Sequence, residues 1–224
     1  MAIPAHERSC VEMRGPFSMM RVRGAWLPLD ESDGVMLKSG IRYQEHKLKA
    51  AIQYCRKARR AVDVGAHCGI WTAGLAQYFE RVEAFEPLER HIVCWQRNAG
   101  WKQTNHLHEC ALGDYEGTTG IHLHEGRSGK SCINGAGAYP LHRLDDFGFD
   151  DVDFIKIDVE GYEYFVIKGA EQTIIRNRPV MIVEQKVPHA RRYGLSDLEA
   201  VDYLKGLGMT LKQEIVGDYI MVFE

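Results

Sequence analysis

From about residue 60 onward, short and continuously apolar runs alternate with helix-like segments. That alternation restricts the fold more than any other feature of the chain. Strand-like runs at 61–64, 82–86, 152–158 and 180–184 are separated by helical patterns at 70–79, 88–99 and 162–176. A strand apolar on both faces has to be covered on both, which predicts an α/β fold with a mostly parallel sheet between helices. Two further runs, 209–216 and 219–223, flank Gly217 and Asp218 and predict a C-terminal antiparallel hairpin. Ser196, with Glu199 three residues later, reads as a capping box opening a last helix. Segments 106–112 and 119–124 alternate like strands, and 126–137 is a Gly-rich loop. Residues 1–60 differ: 21–29 reads as a strand, 30–40 as a polar turn-rich stretch and 41–58 as a helix. No internal repeat is present.

Composition narrows the class. The 224 residues are 45% hydrophobic and 26% charged, which suits a globular protein rather than a disordered one. Apolar runs such as 180–183 fall far short of the roughly 20 residues that cross a bilayer, so no membrane association is expected. Glu7, Arg8, Glu12 and Arg14 interrupt the region where an export signal would need an apolar stretch. The six cysteines are scattered with no CxxC pair, which fits a cytoplasmic protein with reduced thiols. Charge is unevenly spread. Residues 1–60 carry 12 Lys+Arg against 6 Asp+Glu, and the remainder carries 16 against 25.

The segment 61–69, Ala-Val-Asp-Val-Gly-Ala-His-Cys-Gly, ends a strand and opens a helix through a glycine turn. Gly65 permits positive φ and close approach of a ligand to the backbone. The helix N-terminus offers unpaired N–H groups at the carboxyl edge of the sheet. The G-x-G spacing of a dinucleotide site is absent, and Asp63 would repel a diphosphate but attract an ammonium or sulfonium. Asp63-x-Gly65-x-x-x-Gly69 resembles motif I of class I S-adenosylmethionine (SAM) methyltransferases. Seventeen residues past Gly69, Glu86 ends the second strand, where a carboxylate can accept both hydroxyl hydrogens of an adenosine ribose. Asp158 ends the strand at 152–157, with Glu160 and Glu163 close behind. Clustered carboxylates repel, so one can have a raised pKa and take a proton.

Taken in order, Asp63-Val-Gly-Ala-His67-x-Gly69, Phe85-Glu-Pro87, Ala111-Leu-Gly-Asp114, Leu144-Asp145 and Ile155-Lys-Ile-Asp-Val-Glu-Gly161 resemble the FkbM family of SAM-dependent methyltransferases. The likeness covers roughly residues 60–224. It implies a Rossmann-like sheet of order 3-2-1-4-5-7-6 over 61–224; residues 1–60, outside the likeness, read as an N-terminal extension of a strand and a helix and a candidate for acceptor recognition. It implies SAM as cofactor, with Asp63, Gly65, Ala66, His67 and Gly69 around the methionine end. Glu86 and Pro87 would then meet the ribose, and Ala111 and Leu112 the adenine. Asp158 would lie between cofactor and acceptor. Asp158, Glu160 and Glu184 are the candidate catalytic residues, and His189 is a further candidate base. Family members usually methylate hydroxyls of sugars or small metabolites, so a small-molecule or glycan acceptor is expected.

Two other functions compete. A ribose 2′-O-methyltransferase acting on RNA would use a Lys–Asp–Lys–Glu set. A Lys within 38–57, Asp158, Lys186 and Glu214 occur in workable order, and Arg56, Lys57, Arg59 and Arg60 form a basic cluster suited to nucleic acid. A SAM-binding protein without catalysis is the third. Weaker signals point elsewhere. Gly126-Arg-Ser-Gly-Lys-Ser131 imitates part of a phosphate loop, but residue 124 is His and no helix follows, so it reads as a lid or surface loop. His106, His108, His122 and His124 would converge only if their strands paired. Asp158 and Glu184 are oxygen ligands of the kind a divalent cation takes, as some small-molecule O-methyltransferases require, but no metal is assigned.

Overall fold

The computed structural model describes residues 8–124 and 126–224. Its first elements are a three-stranded antiparallel meander, β1 (Arg8–Arg14), β2 (Phe17–Val22) and β3 (Ala25–Pro28), and helices α1 (Gly34–Ser39) and α2 (Glu45–Ile52). The half-unit β4 (Arg60–Val64), α3 (Ile70–Leu75), β5 (Arg81–Phe85), α4 (Glu89–Asn98) and β6 (Asn105–His108) follows. Five short strands then build a flap: β7 (Ala111–Leu112), β8 (Gly117–Thr119), β9 (Ile121–His122), β10 (Cys132–Ile133) and β11 (Tyr139–His142). The second half-unit is β12 (Val152–Ile157), α5 (Glu163–Lys168), α6 (Glu171–Asn177), β13 (Val180–Glu184), α7 (Glu199–Gly206), β14 (Met209–Ile215) and β15 (Asp218–Phe223).

The main sheet runs β6-β5-β4-β12-β13-β15-β14, and only β15 runs against its neighbours. Counted in chain order, these seven strands have the expected order 3-2-1-4-5-7-6. One face packs Val62, Val64, Ile155 and Ile157 under α5, α6 and α7; the other packs Ala61, Phe154 and Ile182 under α2 and α3. Each fully buried side chain such as Phe154 contributes about 1.5–3 kcal/mol. No helix among the described residues is long and apolar enough to cross a membrane.

Register decides what the sheet can present. Val64 lies beside Phe85 and Ile157, and Ile157 beside Val183. The next residue of each strand therefore falls on one row along the carboxyl edge, in the order Glu86, Gly65, Asp158, Glu184.

Residues 8–52 share a core with the sheet. Met19, Met20 and Leu27 pack with Cys68, Ile70 and Cys94. Asn98 ties β3 down: the Trp26 N–H donates to its Oδ1 at 2.7 Å, and its Nδ2 donates to the Trp26 and Cys68 carbonyls at 2.8 and 2.7 Å. Lys47 of α2 forms a buried ion pair with Asp218 of β15.

Several elements differ from expectation for identifiable reasons. The 21–29 strand is two strands, because Arg23 and Gly24 both take positive φ (45° and 84°) and reverse the chain. The turn-rich 30–40 stretch holds α1, whose first N–H groups are capped by Asp33. The 41–58 helix shrinks to Glu45–Ile52 behind a 3₁₀ turn at Gly40–Arg42, and 70–79 shrinks to Ile70–Leu75. The long 162–176 helix is broken. A side chain at Gly169 would come within 1.8 Å of the Gly113 carbonyl, and the Gly169 carbonyl is taken by the Asp145 N–H. The Asp145 carboxylate caps the restart, accepting from Gln172 and Thr173 N–H. His122 lies on β9, which pairs with β10, and His106 and His108 lie on β6, so the histidine strands do not meet. His106 and His108 instead contact Glu83.

Candidate active site

The main cavity lies over the carboxyl edge of β4, β5, β12 and β13. Its floor is the row set by the register: Glu86, Gly65, Asp158 and Glu184, with Glu160 beyond Asp158. Ala111 and Leu112 of β7 close the Glu86 end, next to Pro87. The roof comes from the front of the chain and the Gly-rich loop: Glu31, Asp33, Met36 and Tyr43 face Ser128 and Lys130. This loop is therefore a lid rather than a free surface segment. Ser128 fastens it, its hydroxyl donating to Glu31 Oε2 at 2.5 Å and lying 2.7 Å from His67 Nε2.

Asp63 and Gly69 stand behind the wall. Asp63 is fully buried; its Oδ2 accepts the Thr72 hydroxyl at 2.6 Å and its Oδ1 faces Lys156 Nζ at 3.3 Å. Lys156 projects from β12 under the glycine turn and donates to the Gly65 carbonyl at 2.7 Å. Burial pulls its pKa down, but the Asp63 and Asp158 carboxylates outweigh that and hold it above the ordinary lysine value. Asp63 thus acts through Lys156 on the turn that bears Gly65. The glycines serve packing. Gly65 (φ 72°) passes the Asp158 carbonyl so closely that a Cβ would lie 2.0 Å from its oxygen. At Gly69 (φ 79°) a Cβ would strike the Trp95 ring at 2.6 Å.

Glu86 is a buried carboxylate that already accepts three N–H groups: His67 N–H at 2.9 Å, Leu88 N–H at 3.0 Å and His91 Nδ1 at 3.0 Å. His91 reaches it from the first turn of α4, and its ring stands edge-on to His67 with centroids 4.1 Å apart. His67 holds positive φ (50°), and burial keeps its pKa well below the ordinary histidine value.

At the other end, carboxylates crowd. Burial, then the Asp158 charge, pushes Glu160 up to about 7. Glu184 is pushed up to about 9 by burial and by Asp158, against the pull of the Lys186 ammonium with which it is ion-paired. His189 Nδ1 stands 3.0 Å from Glu160 Oε2, and burial lowers its pKa. Glu160, Glu184 and His189 bring donor atoms within 4.8 Å of one another, a spacing a cation can bridge, but the Lys186 ammonium already sits on Glu184. Tyr43 closes this end, its hydroxyl pushed above the ordinary phenol range by burial and Asp158. Such a group can donate a hydrogen bond at neutral pH but does not ionise.

Residues 138–210 match the model of the methyltransferase FkbM domain. Over those residues the chain is similar to that domain. That match spans β11 through the start of β14 and includes the whole acidic strand end. Solved structures share the fold at low identity. An FkbM methyltransferase from Methylobacillus flagellatus is 18% identical, with a TM-score of 0.49 over 87% of this chain and 56% of that one. A precorrin-6y C5,15-methyltransferase from Geobacter metallireducens is 13% identical, with a TM-score of 0.50 over 85% and 90%. The N-methyltransferase NodS from Bradyrhizobium japonicum, solved with S-adenosylhomocysteine, is 11% identical, with a TM-score of 0.48 over 86% and 92%. The chain therefore spans little more than half of that FkbM structure. No curated protein matches the sequence.

No sequence motif by itself gives a role to Lys156, His91 or Tyr43. Lys156 had a signal: a lysine between isoleucines in a strand buried on both faces must have a partner. His91 and Tyr43 had none, because their importance depends on which atoms α4 and the front of the chain bring to the cavity.

Proposed function

We infer that the protein is a SAM-dependent methyltransferase acting on a hydroxyl of a sugar, glycan or small metabolite. The observation that carries this reading is the row at the carboxyl edge, which offers a ribose-type acceptor at Glu86 and sulfonium-compatible carboxylates at Asp158 and Glu160. The residues fit the cofactor chemically. Glu86, Pro87, Ala111 and Leu112 would hold the adenosine half, Gly65, Ala66 and His67 the methionine half, and Asp158 would attract the cationic centre. Bound there, the cofactor supplies an electrophilic methyl group.

The chain's own residues then have defined tasks. Glu160, pushed up to about 7, is the best proton acceptor for the attacking hydroxyl, because half of it is ionised at neutral pH. Glu184 is held by the Lys186 ammonium and so orients rather than deprotonates. Tyr43 and the 127–131 lid exclude water and hold the acceptor in line, and positioning of this kind supplies much of the rate. A polyhydroxylated acceptor suits this end because carboxylates accept several hydroxyl hydrogens at once. The available proton acceptor also favours a catalyst over a cofactor-binding protein without activity.

Two observations weigh against the RNA reading. Glu214 lies exposed on β14, away from the cavity, and Lys47 is spent on Asp218. The basic cluster stands at the amino end of β4, the opposite end of the sheet, where Arg59 pairs with Asp151 and Asp153. Calorimetry with S-adenosylhomocysteine tests the cofactor, and methyl-labelled SAM with fractionated glycans, metabolites and RNA tests the acceptor. Asp158→Ala is expected to abolish transfer while sparing S-adenosylhomocysteine affinity. Absence of binding to the wild type overturns the cofactor, and label confined to RNA overturns the acceptor.

A further inference from the structure

We propose that His91 is a second acceptor for the cofactor's ribose diol, working beside Glu86. The proposal rests on the cofactor reading above and follows from counting hydrogen-bond capacity. An ionised carboxylate has about four acceptor positions. Three of those on Glu86 are taken by the N–H groups of His67, Leu88 and His91. One position remains, whereas a ribose presents two hydroxyls.

His91 supplies the missing acceptor. Its side chain is 3% exposed and belongs to the cavity wall. Nδ1 faces a carboxylate oxygen, which selects the tautomer with its proton on Nδ1 and a lone pair on Nε2. That Nε2 is buried and makes no hydrogen bond with any described residue. A buried polar atom without a partner costs stability, and a ligand hydroxyl would relieve the cost. Glu86 fixes the ring's tautomer and direction, so the carboxylate and Nε2 form one unit: the first takes one hydroxyl hydrogen, the second takes the other. His67 meets the ring edge-on and packs beside it.

The two halves of the imidazole can be separated. His91→Asn keeps a donor near the Nδ1 position for Glu86 but has nothing at Nε2; His91→Gln keeps an acceptor near Nε2. The experiment measures calorimetric affinity of wild type and both variants for S-adenosylhomocysteine and for its 2′-deoxy and 3′-deoxy analogues. In the wild type, removing the hydroxyl that faces His91 should weaken binding by about tenfold, the size of one net hydrogen bond to a buried group. In His91→Asn, S-adenosylhomocysteine should bind about tenfold more weakly than in the wild type. That one deoxy analogue should then lose nothing further, and His91→Gln should recover part of the loss. Undiminished affinity in folded His91→Asn overturns the proposal, as does an equal loss on all three ligands, which would mark a structural role. If His91→Asn does not fold, the same contrast is read in His91→Gln. There, tighter discrimination against both deoxy analogues than in the wild type would refute it. A wild type that binds none of the three ligands overturns the cofactor reading itself.

Discussion

Lys156→Met should destabilise the fold severely, because Asp63 has no other charge partner among the described residues. Asp63 is completely buried; its Oδ2 is satisfied by Thr72, but its Oδ1 has only the Lys156 ammonium 3.3 Å away. Methionine fills nearly the same volume, so the change removes charge and hydrogen bonds rather than packing. Removing one partner of a buried pair leaves the other uncompensated and costs about 3–5 kcal/mol. For a chain of this size that corresponds to a drop in Tm of roughly 6–20 °C. Asp63→Asn should also destabilise, though less, since it leaves Lys156 only the Asp158 charge and the Gly65 carbonyl. The double variant Lys156→Met/Asp63→Asn should cost clearly less than the sum of the two, because no buried charge is left alone. Urea unfolding followed by tryptophan fluorescence reports all three, since Trp95 donates to Thr72 in the same network. A Lys156→Met loss under about 1 kcal/mol, or strict additivity in the double variant, would refute the reasoning.

Glu160→Gln should lower turnover by about 10²- to 10⁴-fold and flatten the acid limb of the pH–rate profile, which in the wild type should rise with a midpoint near 7; an unchanged limb would remove Glu160 as the base. Glu163, buried at the start of α5, accepts the Val159 and Gly161 N–H groups through Oε1, and burial pushes its pKa up to about 7. The folded state therefore keeps this proton at pH values where the unfolded chain has lost it. Its contribution is complete below about pH 4.5 and is lost as pH rises to about 7, a fall of roughly 3 kcal/mol. Glu163→Gln should remove that fall and be more stable than the wild type at pH 8; urea titrations at pH 4.5 and 8 with an unaltered difference would contradict this.

The parallel sheet was legible because its strands are apolar on both faces, and few other environments accept 61–64, 82–86, 152–157 and 180–184 together. Connections were less legible, since their ends are set by distant atoms. Nothing within 162–176 announces that Gly169 must pass the Gly113 carbonyl, more than fifty residues earlier in the chain. The glycine turn shows the same limit in a subtler form. Asp63, Gly65 and Gly69 stand where a cofactor loop predicts, yet what requires each of them is protein: Lys156, the Asp158 carbonyl and the Trp95 ring. A motif of this kind records the packing that holds a cavity open as well as the atoms that face it.

The uneven charge shows why composition alone could not locate the acceptor. The basic cluster 56–60 precedes β4, so it lies at the amino edge, a full strand length from the cavity, and part of it is neutralised by Asp151 and Asp153. What the front of the chain brings to the cavity is Glu31, Asp33, Met36 and Tyr43, a mixture of acid, apolar and phenolic groups. Glu31 and Asp33 are already committed, the first to the Ser128 lid and the second to the cap of α1. Met36 and Tyr43 above and Glu160 below remain, together with the cations Arg127 and Lys130 of the lid and the Lys186–Glu184 pair. Carboxylates and cations thus share one cavity, so net charge inside it no more fixes the sign of the acceptor than net charge in the composition does.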